Sequence, residues 1–124
     1  MENIEIEASE NTPLVKFHPK QGSLEIKGRS ISENSVKFYR PLIDSVEKYV
    51  FKPISPTLVN IQLDYFNTAS AKCIIELLKK LESLPKKGIT VEVNWYYQAN
   101  EPASYHSGMD YKSILNLNFN LVKM

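Results

Sequence analysis

The run Asp64-Tyr65-Phe66-Asn67-Thr68-Ala69-Ser70-Ala71-Lys72 gathers the side chains with the clearest chemical potential in this 124-residue sequence. An apolar alternation ends within it and a helical periodicity begins, so the chain passes from a strand straight into a helix. The carboxyl end of a middle strand, beside a helix N-terminus, is where α/β folds commonly place their sites. A hydroxyl in the first helical turn lies near amides without intrahelical partners and near the positive end of the macrodipole. A phosphate attached there meets donors already directed at it. It brings about −1.5 to −2 charges and three strong acceptors, a large change for one patch of surface. Thr68 is therefore the candidate phosphorylation site, with Ser70, deeper in the helix, as the fallback acceptor. Asn67, and Lys72 one turn on, are the candidates to support the phosphate. Spacing alone favours the plainer reading, in which Asn67 or Thr68 is simply the N-cap, as these residue types often are. The two readings are compatible, because Asn67 can cap while Thr68 projects outward.

Other chemistry is sparse. His18 and His106 are the only histidines. They are far apart, no Cys or His pair has zinc spacing, and no carboxylate series resembles a calcium loop, so no metal is expected. Nucleophile-elbow, P-loop and dinucleotide motifs are missing, and four glycines leave little material for a phosphate cradle. No cofactor is expected either. His106 is a lone acid–base candidate in a polar stretch, better read as solvated. Cys73 is the sole cysteine, which excludes an intrachain disulfide and suits a reducing compartment. Within a helical apolar pattern it reads as a small hydrophobe. Without paired acid and base groups, the expectation is a protein that is not an enzyme.

Fifteen basic against fourteen acidic residues give a formal charge of +1. That balance argues against a general nucleic-acid partner, which needs a clustered basic excess. Lys79-Lys80 and Lys86-Lys87 read as a solvated helix face and its end. Trp95-Tyr96-Tyr97 suggests a stacking platform for single strands, but alternation places Trp95 and Tyr97 in the core. The acidic N-terminus lacks the apolar stretch of a signal peptide, and no run approaches the ~20 apolar residues of a membrane span. A cytoplasmic protein without direct membrane insertion is expected.

The elements that must position Thr68 follow from periodicity. Residues 1–124 read as a single domain, with 1–11 charged and expected to be mobile, although Ile4 and Ile6 could add a short edge strand. Leu14–His18 and Ser23–Lys27 alternate as strands joined by the Pro19–Gly22 turn, an antiparallel hairpin. Ser30 and Glu33 have capping-box spacing for a helix carrying Val36, Tyr39, Leu42, Ile43, Val46, Tyr49 and Val50 on one stripe. Pro41 inside that stripe predicts a kink or two abutting helices. Thr57–Phe66 is a strand with Val59, Ile61, Leu63 and Tyr65 inward. The helix from Asn67-Thr68 carries Ala71, Ile74, Ile75, Leu78 and Leu81 and ends at Pro85–Gly88. Ile89–Tyr97 alternates as a further strand. Gln98–Met109 reads as a polar loop, with one helical turn at Asp110–Ile114. Leu115, Leu117, Phe119 and Leu121, separated by asparagines, form the last strand. Because the strands keep one polar side, one face of the sheet is covered and both helices pack on it. The fold class is α/β: a two-layer sandwich with a mixed sheet of about five strands, an N-terminal antiparallel hairpin and helices on one face; its likeness to STAS-type domains, STAS-like in character, is fold-level analogy alone. The open face presents Asn60, Gln62, Glu92, Asn94 and Tyr96, with Asp64 nearby, as a candidate partner surface.

Five segments together resemble a known family, the SiaC-type regulatory phosphoproteins of bacteria. They are Thr12-Pro13-Leu14-Val15-Lys16-Phe17, Gly28-Arg29-Ser30 with Glu33-Asn34, Phe38-Tyr39-Arg40-Pro41-Leu42, Tyr65-Phe66-Asn67-Thr68-Ala69-Ser70 and Val93-Asn94-Trp95-Tyr96-Tyr97, and the similarity runs from about Thr12 to Val122. The resemblance implies a partner-switching module. Its threonine, here Thr68, is phosphorylated by a cognate serine/threonine kinase and reset by a PP2C-like phosphatase. The unphosphorylated form binds and activates a diguanylate cyclase, raising cyclic di-GMP and affecting biofilm formation and aggregation. The chain departs from the family where His18 replaces a common aspartate, Ser32 a common proline, and Gln98-Ala99-Asn100-Glu101-Pro102-Ala103 an often acidic segment. The alternative reading is a constitutive protein–protein scaffold that uses the open sheet face, with Thr68 only a helix cap.

Overall fold

Alternating apolar and polar residues along the strands produce a sheet that is covered on one face only. A computed structural model describes all residues, 1–124. Its six strands are β1 (Ile4–Ile6), β2 (Leu14–His18), β3 (Ser23–Ser30), β4 (Thr57–Phe66), β5 (Val91–Tyr97) and β6 (Asn118–Lys123). They lie side by side in chain order. β1, β2 and β3 are antiparallel neighbours, and β3 through β6 run parallel. The three helices are α1 (Ser35–Tyr49), α2 (Thr68–Lys80) and α3 (Pro102–Ile114). Short 3-10 turns at Leu81–Ser83 and Pro85–Lys87 follow α2, and Gly88 reverses the chain in the left-handed conformation open to glycine.

The core lies between the helices and the inward strand residues. Val15, Ile26, Val59, Ile61 and Val93 of the sheet are fully buried against Leu42, Val46, Ile74 and Leu78 of α1 and α2. Trp95 is the largest buried side chain. Phe66 and Tyr111 meet it edge-on with centroids at 5.9 and 5.1 Å, and Phe119 stacks at 6.2 Å. Its indole N–H donates to the Ser104 carbonyl at 3.0 Å, satisfying a donor that would be costly to bury alone.

Several elements differ from the sequence reading. There are six strands rather than about five. Ile4–Ile6, within the 1–11 segment expected to be mobile, pairs with Val15–Phe17 and takes the edge-strand alternative. β3 continues through Gly28-Arg29-Ser30, because those backbone groups pair with β4. Ser30 therefore ends a strand and is not a capping-box residue. Asn34 caps α1 instead, its side chain accepting from the Lys37 amide. Of the two alternatives at Pro41, two abutting helices are not found: α1 is one helix from Ser35 to Tyr49 with the proline inside. Val36 stands 62% exposed and does not join the buried stripe.

Along β4 the register shifts: Gly28 faces Leu63, but Arg29 faces Tyr65. Asp64 is the extra residue of a bulge, and everything after it changes face. Tyr65, expected inward, is exposed beneath the Arg29 guanidinium, while Phe66 packs on Trp95. Finally, Pro102–Ile114 is a helix of more than three turns where a loop and a single turn were expected. Its inward residues are Ser104, Gly108 and Tyr111, too small on average to register as an apolar stripe. An added Cβ at Gly108 would stand 2.7 Å from Trp95 Cδ1 and 2.6 Å from Leu121 Cδ2, so the helix sits down on the indole only because no side chain intervenes.

Candidate functional site

The bulge and the chain reversal after β4 place α2 at the carboxyl end of a central strand. Asn67 follows the strand in an extended conformation, and its Oδ1 accepts the Ser70 amide at 2.8 Å. This is an N-cap with the spacing that such a side chain reaches. Of the first-turn amides, the cap satisfies that of Ser70, while those of Thr68 and Ala69 have no carbonyl partner in the helix. Thr68 occupies the first helical position and is exposed, as is Ala69. Lys72, four residues on and so on the same helical face, is exposed too. The result is an outward hydroxyl beside free amides, the positive helix end and one lysine.

Two residues later the same turn presents the opposite environment. Ser70 is fully buried. Its Oγ accepts from Ser30 Oγ at 2.8 Å and donates to the Ser30 carbonyl at 2.8 Å. Ser35 Oγ lies 2.8 Å from it, and Tyr39 O–H lies 2.7 Å from Ser30 Oγ. With the Ser30 proton directed at Ser70, Tyr39 is the donor to Ser30. Tyr39, Ser30 and Ser70 thus form a directed chain from α1 through the end of β3 into the first turn of α2, with the Ser35 hydroxyl beside it. Burial pushes the Tyr39 phenol up to about 12, the Ser30 hydrogen bond only partly opposing it, so the ring remains a donor at neutral pH. Asn67 extends the clasp: its Nδ2 donates to the Ser32 carbonyl at 3.0 Å, and its backbone N–H to Ser30 O at 3.0 Å.

The expected residues thus divide. Asn67, Thr68 and Lys72 come together at the start of α2, whereas Ser70 points away from them into the clasp. Ser30, Ser35 and Tyr39 were not singled out for this site, and no spacing announces them, since they meet Ser70 only through tertiary packing. On the open face, Asn94 Nδ2 donates to Asn60 Oδ1 at 3.0 Å, and Asn120 Nδ2 to Asn94 Oδ1 at 3.1 Å and Glu92 Oε1 at 3.2 Å. This ladder crosses three strands, with Gln62 and Tyr96 beside it and half-buried. Asp64 is exposed at the bulge, apart from the ladder. Cys73 is buried, and that burial raises its thiol further above the range of a reactive thiolate. His106 lies on α3, its ring 5.7 Å from that of Tyr105. No helix is long and apolar enough to cross a membrane.

Comparison with known proteins finds similar chains in Pseudomonas aeruginosa. An uncharacterised protein of Pseudomonas aeruginosa (strain UCBPP-PA14) is 30% identical over 97 residues, covering 78% of this chain and 77% of that protein. The fold is similar to that of SiaC of Pseudomonas aeruginosa, with a TM-score of 0.90 and 24% identity over the whole of both chains. It is equally similar to a chain in the crystal structure of the diguanylate cyclase SiaD in complex with its activator SiaC from the same organism, with a TM-score of 0.89, 24% identity and coverage of 98% and 99%. At that identity the two structures speak for the fold alone. The family model for the SiaC family regulatory phosphoprotein spans residues 6–124, taking in every strand from the end of β1 together with the Asn67–Ser70 turn. By that match, the chain belongs to the SiaC family of regulatory phosphoproteins.

Proposed function

We propose that this chain is a non-enzymatic switch in which reversible phosphorylation of Thr68 controls the binding and activation of a diguanylate cyclase. The observation that carries the reading is the pairing within one helical turn. Thr68 offers an exposed hydroxyl to a kinase, whereas Ser70 is sealed in a network that modification would break. Burial of Ser70 favours Thr68 over it as the acceptor. A serine/threonine kinase adds the phosphate and a PP2C-like phosphatase removes it. The Thr68 and Ala69 amides, the Asn67 side chain and Lys72 receive its charge. The unmodified surface, with Asp64 beside it, docks on the cyclase. A doubly charged group there repels or misplaces the partner.

The choice of output enzyme is supported by the similar fold of SiaC, described as the activator of the cyclase SiaD. The process is cytoplasmic and raises cyclic di-GMP, with biofilm formation and aggregation as its outcome. To test the switch, a diguanylate cyclase from the same organism is assayed with wild-type protein and with Thr68→Glu. Wild type should raise cyclic di-GMP production, and Thr68→Glu should leave the cyclase at its basal rate. Equal activation by both would remove Thr68 as the control point. No activation by wild type would remove the cyclase as the output.

A further inference from the structure

At the other end of β4, about 30 Å from Thr68 by the length of a ten-residue strand, the surface carries a second built feature. A cavity of about 530 Å³ opens where the end of α1 meets the turn between β2 and β3. Pro19 and Tyr49, both buried, form its inner part, and Ile54 forms a wall. Phe51 stands at its lip and is 81% exposed, more than any other large apolar side chain in the chain. The frame is rigid. Tyr49 O–H accepts the Ile54 amide at 3.0 Å and lies 2.7 Å from Thr57 Oγ1. Gly22, at φ +66, brings the hairpin turn so close that an added Cβ would lie 2.9 Å from Ile54 Cβ.

The charged side chains that line this cavity are of one sign. Lys20, Lys48 and Lys52 line it, and no carboxylate does. None of the three lysines is in an ion pair. The nearby acids of α1 are already engaged: Asp44 pairs with Arg40 at 3.4 Å, and Glu47 with Lys80 at 3.3 Å. An apolar cleft with an exposed aromatic lip and three free cations is complementary to one kind of occupant. We infer that it docks a segment of another protein in which bulky apolar side chains are flanked by Asp and Glu. Its walls are preformed, so little ordering is needed on this side of the contact, and the lysines add steering that salt weakens. An anionic bilayer fits less well, because recognition of acidic lipid surfaces uses clusters of roughly four to eight basic residues and the feature is concave.

The contact would be independent of the phosphorylation site, giving the molecule two separated binding ends. The test is fluorescence anisotropy with a labelled synthetic peptide in which Leu and Phe alternate with Glu and Asp. Wild type and Thr68→Ala should bind it alike. Phe51→Ala and Lys52→Glu should each weaken binding about tenfold, with unchanged circular dichroism because both side chains are exposed. Raising the salt should weaken wild-type binding. A wild type that does not bind, or variants that bind as wild type does, would overturn the inference. So would binding to phosphatidylserine vesicles without binding to the peptide, which would assign the cleft to lipid. A dimer lost in Phe51→Ala would overturn it in favour of a second copy, whose acidic N-terminal residues would then be the occupant.

Discussion

The first turn of α2 has two sides, and they treat the same functional group in opposite ways. Thr68 turns its hydroxyl to solvent, while Ser70 holds its own against Ser30 and Ser35 with no exposure at all. Modification needs a group that can gain charge without leaving a buried neighbour unpaired. Only the outer side meets that condition. The inner side does something else: it ties the first turn of α2 to β3 and α1, so that the outer hydroxyl is presented from a fixed base. A mobile first turn would present Thr68 to a kinase equally well, but it would give a partner no defined surface to discriminate.

The contrast can be broken from the inside first. Ser70→Ala leaves the Ser30 and Ser35 hydroxyls short of a buried partner and should cost about 3 kcal/mol, measured by urea unfolding. Loss of less than about 0.5 kcal/mol, the range of ordinary surface substitutions, would mean that the clasp does not hold the turn. Tyr39→Phe removes the outermost donor of the chain and should cost about 1 kcal/mol at neutral pH. It also has a pH signature. An unfolded tyrosine titrates near about 10, and the Tyr39 phenol in the folded protein near about 12, chiefly through burial. Stability from neutral Tyr39 is complete below about pH 10 and falls away as the pH rises to about 12, because the unfolded chain gives up its proton first. Unfolding followed across that window should show the loss in wild type and a shallower loss in Tyr39→Phe. Some loss persists there because burial raises Tyr111 as well.

Asn67→Ala stands between the two sides. It removes the cap on the Ser70 amide and the tie to Ser32, and should cost about 1 kcal/mol, while slowing phosphorylation by loosening the first turn. Thr68→Ala sharpens the contrast most, because its expected effect on stability is the smallest. It should change unfolding by less than about 0.5 kcal/mol and abolish phosphate incorporation. A marked loss of stability would return Thr68 to the role of a structural cap.

Much of this arrangement was legible beforehand. Strand alternation from Leu14 to Tyr97 predicted a half-covered sheet with helices on one face, since that pattern depends only on local hydrophobic period. Asn67 and Thr68 were legible because a cap and a first-turn hydroxyl are defined by their immediate neighbours in the chain. What stayed hidden depends on contacts across the fold. Tyr65 and Phe66 exchange faces because of a bulge at Asp64, which no glycine or proline of β4 marks; the glycine at the shift, Gly28, lies on the facing strand. Ser30 looked like a cap because its spacing to Glu33 fits a capping box, yet pairing with β4 claims its backbone first. α3 was invisible because it packs through Ser104 and Gly108, and a helix that sits down on Trp95 needs small residues where an apolar stripe would be sought.

The most direct measurement is the position of the phosphate. The protein is incubated with its kinase and ATP, and modified peptides are located by mass spectrometry. A single phosphate on Thr68, none on Ser70 and none in Thr68→Ala is the expected result. Phosphate on Ser70, or a Thr68→Ala protein modified as fully as wild type, would contradict the division of the turn into an outer side that switches and an inner side that holds.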